Sequence, residues 1–123
     1  MRKVVNVELE GTKRKAVIDT DRDECIYWTT GTIPKVELHV HYITEKKEIK
    51  KEIYYLYLHS NSKLFKEKAR IDLLSRDEAI DFLLQIWPVK LTLNDAILFG
   101  FNKYFPDIEK KILERDQKLA GGD

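Results

Sequence analysis

The spacing of apolar residues changes once along this chain, at Ser75. Before that point apolar and polar residues largely alternate, which sends successive side chains to opposite faces of a strand; after it they recur every three or four positions, as on one side of a helix. The pattern demands an α+β fold: an antiparallel sheet of five to six strands over residues ~3–74, then two to three C-terminal helices packed on one face. At 123 residues the chain suits a single domain, with a sheet part (1–74) and a helical part (75–123).

The punctuation of the pattern is specific. Val4, Val5, Val7 and Leu9 run into Glu10 and Gly11, and Ala16, Val17 and Ile18 follow, which reads as a hairpin around a glycine turn. An acidic loop from Asp19 to Glu24 leads to a third strand containing Cys25, Ile26, Tyr27 and Trp28. Gly31 and Pro34 mark the next turn. Val36, Leu38, Val40 and Tyr42 then share one face of a strand, with Glu37, His39 and His41 on the other. Residues 45–52 read as a hairpin tip. The strand over 53–58 (Ile53, Tyr54, Tyr55, Leu56, Tyr57, Leu58) is apolar on both faces, and a return strand starts near Lys63 to Lys66 and continues through Ile71 to Leu74.

Ser75 and Glu78 have capping-box spacing, which starts a helix that Pro88 stops. Thr92 caps a second helix over 93–104, from Leu93 to Tyr104, apolar nearly all round and expected to be the most buried or the one used for self-association. Pro106 opens a third, surface helix.

Composition excludes several classes. With 43% hydrophobic and 35% charged residues the chain is neither disordered nor membrane-spanning, and a formal net charge of +1 gives no whole-molecule attraction to nucleic acid. Residues 1–70 hold 15 Lys/Arg against 11 Asp/Glu, whereas 71–123 hold 7 against 10, so an anionic partner belongs on the sheet half. One cysteine, Cys25, precludes an internal disulfide and suits a reducing compartment. The first residues break into charge at Glu8 with no apolar signal core, so a cytoplasmic location is expected.

Candidate chemistry is sparse. His39 and His41, as an H-x-H pair in a strand with Glu37 on the same face, could share a metal, with Cys25 or His59 adding a ligand if strand order brings it near; the plainer expectation is a solvated polar face. Asp19, Asp21 and Asp23 are spaced like the start of a calcium loop. Glu24 then stands where glycine is needed and Thr30 where a bidentate glutamate is needed, which leaves a solvated acidic loop. Tyrosines near Lys46, Lys47, Lys50 and Lys51 mix rings with charge as single-strand nucleic-acid binders do, but without an RNP motif or a basic surplus.

No nucleophile elbow, phosphate-binding loop, H-E-x-x-H or C-x-x-C is present. The expectation is therefore a small non-enzymatic binding protein without a cofactor. It would act by docking or sequestration, as accessory inhibitors of phages and mobile elements do, on a partner protein or a small anionic, nucleotide-type ligand. Trp28, Tyr54, Lys50, Arg70 and Ser75 are the residues placed to stack on a base or hold phosphate. The surplus apolar surface of the 53–58 strand and the 93–104 helix predicts a homo-oligomer. The alternatives are a metal-dependent hydrolase or isomerase using His39 and His41, and a nucleic-acid-binding regulator.

Overall fold

The computed structural model describes residues 1–29, 35–60, 69–85 and 91–120. The chain divides into two compact units, Met1–Arg76 and Asp77–Asp123, with the strands in the first and nearly all helical residues in the second. The turn at Gly31 and Pro34, the start of the return strand at Lys63 to Lys66, and Pro88 lie outside the described residues.

The described residues of the first unit form six strands, each antiparallel to its neighbour: β1 (Arg2–Leu9), β2 (Thr12–Asp19), β3 (Glu24–Trp28), β4 (Lys35–Glu45), β5 (Glu48–His59) and β6 (Arg70–Leu74). They form two sheets where the sequence suggested one. Among the described residues β1 and β2 pair with each other alone, and β3 to β6 make a meander in chain order. The division occurs at the acidic loop, where the Asp19 carbonyl accepts from the amides of Arg22 (3.1 Å) and Asp23 (2.8 Å), a tight turn that ends one pairing and redirects the chain.

The two-stranded sheet covers one face of the meander. Val5, Ala16 and Ile18 from the hairpin share a buried cluster with Ile53, Tyr55 and Ile71, while Val4 and Val17, a cross-strand pair, remain exposed on its outer face. Alternation thus decides where the apolar residues go: the buried apolar side chains of β1 and β2 share one parity, and the other parity faces water except at Asp19. On the opposite face of the meander Leu38, Val40 and Tyr54 are buried as well, so the central strands are apolar on both sides, as the 53–58 run requires.

The helical unit contains α1 (Arg76–Leu84), α2 (Leu93–Leu98), α3 (Phe101–Tyr104) and α4 (Ile108–Ala120). Thr92 Oγ1 accepts from the Asp95 amide at 3.1 Å, the cap expected from its spacing. The single helix expected over 93–104 is broken in two: Gly100 adopts φ +72°, a left-handed conformation that ends α2 and starts α3. The break splits the apolar residues. Ala96, Phe101 and Phe105 are fully buried with Ile108 and Ile112 of α4, whereas Ile97, Leu98 and Phe99 stay exposed. Arg115 of α4 closes the unit by donating to the carbonyls of Leu84 (3.3 Å) and Leu91 (2.6 Å), placing a cation on the unpaired C-terminal end of α1.

Both hairpin tips are two-residue turns with positive φ at each central residue: Glu10 (51°) with Gly11 (78°), and Lys46 (50°) with Lys47 (67°). This geometry matches the right-handed strand twist and favours Asn-Gly, so two lysines there are strained. Replacing Lys47 with glycine is expected to raise stability by about 1 kcal/mol, the cost of one left-handed non-glycine residue. Urea denaturation checks this; a lower midpoint for Lys47→Gly would show that the lysine side chain holds the turn.

Candidate functional site

Every histidine of the chain lies on the face of the meander that the hairpin partly covers. Register brings them together: His39 pairs with Tyr55, Glu37 with Tyr57, His41 with Ile53, and Lys35 with His59. On the other side of β4, Cys25 pairs with His39, and the register then slips before Tyr27 pairs with Leu38 and Trp28 with Glu37. The extra residue, Ile26, is a β-bulge that reverses the parity of β3, placing both Cys25 and Trp28 on the histidine face.

Two carboxylates organise this face. Glu37 accepts from His39 Nε2 at 2.9 Å on one oxygen and from His59 Nε2 on the other. Asp23 accepts from His41 Nδ1 (2.7 Å) through one oxygen, and from the Tyr55 hydroxyl (2.7 Å) and the Asp19 amide (2.8 Å) through the other. Ring stacking links the two groups. The His39 ring lies nearly parallel to that of Tyr55, 5.2 Å between centroids and 6° apart, and Tyr57 stacks on His59 at 4.4 Å. The result is one continuous array, His59, Glu37, His39, Tyr55, Asp23, His41, crossing the sheet.

Burial grades along it. Tyr55 and His39 are buried, Asp23 keeps only 9% of its side-chain surface, and Glu37 and His59 retain 25% and 18% at the accessible end. Burial, the hydrogen bond to Asp23 and the charge of Asp23 all raise the Tyr55 pKa, so the hydroxyl remains a donor at neutral pH. Burial, with the Glu37 charge second, pushes the Cys25 thiol up to about 11, far from the range of a nucleophilic cysteine. Asp19 moves the other way: the Asp21 amide and then Arg2, whose Nε lies 3.0 Å from the carboxylate, hold its pKa down.

The sequence-derived candidates divide into two groups. Of the metal set, Glu37 and His39 come together with Cys25: a thiol sulfur, a carboxylate oxygen and a ring nitrogen lie within 4.8 Å of one another. His41 is on the same face but is held by Asp23, and His59 reaches the far oxygen of Glu37. A wholly solvated polar face, the plainer expectation, does not describe His39, which is 1% exposed. The acidic loop is likewise turned inward at Asp19 and Asp23.

The candidate stacking and phosphate residues do not converge. Trp28 is 59% exposed on the histidine face, and register puts Tyr54 on the opposite one. Tyr54 donates to Glu52 (2.6 Å), Lys50 to Glu48 (3.2 Å), and Arg70 lies 3.1 Å from Asp72, each pair two residues apart along one strand. A groove of about 460 Å³ includes Tyr54 and Ser75, but Glu8 and Glu52 line it with Lys51 and Arg76, balancing its charge. Sequence reasoning missed the role of Asp23; its only signal was its place one residue before a strand, where a carboxylate can accept from both the turn and the sheet. Comparison with protein-family models, with curated proteins and with solved structures finds no match.

Tyr55→Phe removes one of three donors to Asp23 while leaving the stacked ring. The expected loss is about 1.5–3 kcal/mol, the range for a hydrogen bond to a charged group. Chemical denaturation of the variant measures it, and an unchanged midpoint would mean that Asp23 does not depend on Tyr55.

Proposed function

We propose that the chain is a small non-enzymatic binding protein that works by docking or sequestration, and that copies of it associate through the ridge formed by Ile97, Leu98 and Phe99. One observation carries this reading: three consecutive large apolar side chains at the end of α2 are 52%, 79% and 54% exposed. Soluble chains seldom leave such residues grouped without a partner. The ridge is also stiff, because Phe99 stacks at 5.6 Å on the fully buried Phe101. A second copy is the simplest occupant, since a two-fold interface places the same patch against itself. Covering Leu98 alone would contribute about 1.5–3 kcal/mol to association.

The polar face of the sheet supports binding over catalysis. Its carboxylates each accept from histidine nitrogens, Asp23 also from the Tyr55 hydroxyl, and burial raises the pKa of its thiol. Pairing of Lys50 and Arg70 with carboxylates of their own strands favours a protein partner over a nucleotide. A compact docking module of this kind suits an accessory inhibitor of the phage or mobile-element type.

Light scattering at tens of micromolar is expected to report a dimer, and Leu98→Glu a monomer with unchanged helical content. A wild-type monomer at that concentration would overturn the self-association reading.

A further inference from the structure

The cluster at Cys25, Glu37 and His39 has a property that packing alone does not explain. His39 Nδ1 is completely buried and has no hydrogen-bond partner among the described residues. Such an atom normally costs about 1–3 kcal/mol, and native interiors contain few. Glu37 only accepts, so it fixes the proton of a neutral His39 ring on Nε2 and leaves a bare lone pair on Nδ1. Around the same ring stand metal-ligand types: the Cys25 sulfur, a Glu37 oxygen and one ring nitrogen of His39 lie within 4.8 Å of one another, with Glu37 on the Nε2 side.

We propose that this cluster is a binding site for a divalent transition ion of the zinc class. Sulfur, imidazole nitrogen and carboxylate oxygen form the mixed donor set that a borderline-soft ion accepts, whereas magnesium and calcium take oxygen alone. Three protein ligands leave a fourth position for water or for a group from a partner. The ligands stand on adjacent strands: Cys25 faces His39 across the β3 and β4 pairing, and Glu37 lies two residues before His39 on the same face. His59, on the second oxygen of Glu37, acts as the outer hydrogen bond that orients a ligating carboxylate. Partial exposure of Glu37 and His59 gives the ion access from solvent, and stacking on Tyr55 keeps the His39 ring from turning away. Coordination by Glu37 and His39 together takes Nε2, so the ring proton passes to the unpartnered Nδ1, while the Cys25 thiol proton is exchanged for the metal–sulfur bond and released to solvent; no oxidant or reductant is involved.

Cobalt(II) titration of chelator-stripped full-length protein tests the site, because a cobalt–thiolate bond gives a near-ultraviolet charge-transfer band that carboxylate or imidazole ligands alone do not. The expected result is one cobalt per chain with that band, removed by added zinc. Cys25→Ser should abolish the band, Glu37→Gln should weaken cobalt binding by about tenfold or more, and His41→Gln, outside the ligand set, should retain it. Absence of the band in the wild-type protein, or its persistence in Cys25→Ser, would overturn the proposal. Cobalt binding without the band would assign the metal to surface groups and overturn it equally. Circular dichroism of each folded variant separates lost ligands from lost structure.

Discussion

The carboxylate of Asp23 is the point on which the sheet unit depends. It closes the turn after β2 by accepting the Asp19 amide, holds β5 through the Tyr55 hydroxyl and holds β4 through His41. A carboxylate that has lost most of its water is tolerable only when its lone pairs are filled, and here three donors fill them. The consequences extend outward. The turn sets the two-stranded sheet over Tyr55, and Tyr55 fixes the plane of His39, whose Nε2 is then aligned with Glu37. Packing and polar order are therefore one arrangement, since the ring that fills the core cluster also carries the hydroxyl that satisfies Asp23.

Much of the fold was legible because the hydrophobic repeat reports local geometry. Alternation around His39 located β4 and the face that carries its histidines, the capping spacing at Thr92 located α2, and the strand and helix halves meet where the repeat changes. What escaped depended on contacts between residues distant in sequence. Nothing in the order Asp19 to Glu24 reveals that Asp23 meets Tyr55, 32 positions away, or that the bulge at Ile26 turns Cys25 and Trp28 to the same side. The break of the 93–104 helix was written in Gly100, but an apolar run with one glycine reads equally well as a continuous helix until the sign of its φ is known.

The candidate site was legible in its residue types and not in its membership. Glu37, His39 and His41 share a face by simple alternation, yet strand order assigns them different partners, giving Glu37 and His39 to Cys25 and His59, and His41 to Asp23. The residues proposed for a nucleotide fell on different faces and found carboxylates along their own strands. Two surfaces therefore carry the functional reading, a polar row whose accessible end meets solvent at Glu37 and His59 and an apolar ridge on the helical unit. They differ in physical kind. In the proposed reading the row recognises by geometry and lone pairs, and the ridge by area removed from water.

The most direct measurement is long-range ¹⁵N–¹H NMR of the histidine rings, recorded on metal-free protein and again with one equivalent of zinc. Three distinct, ordered rings are expected without metal, with His39 showing one protonated and one bare nitrogen. Zinc should then move the His39 nitrogens, with a smaller change at His59, and leave His41 on Asp23 undisturbed. Three averaged, water-exposed rings, or equal zinc shifts at His39 and His41, would contradict the arrangement of this face.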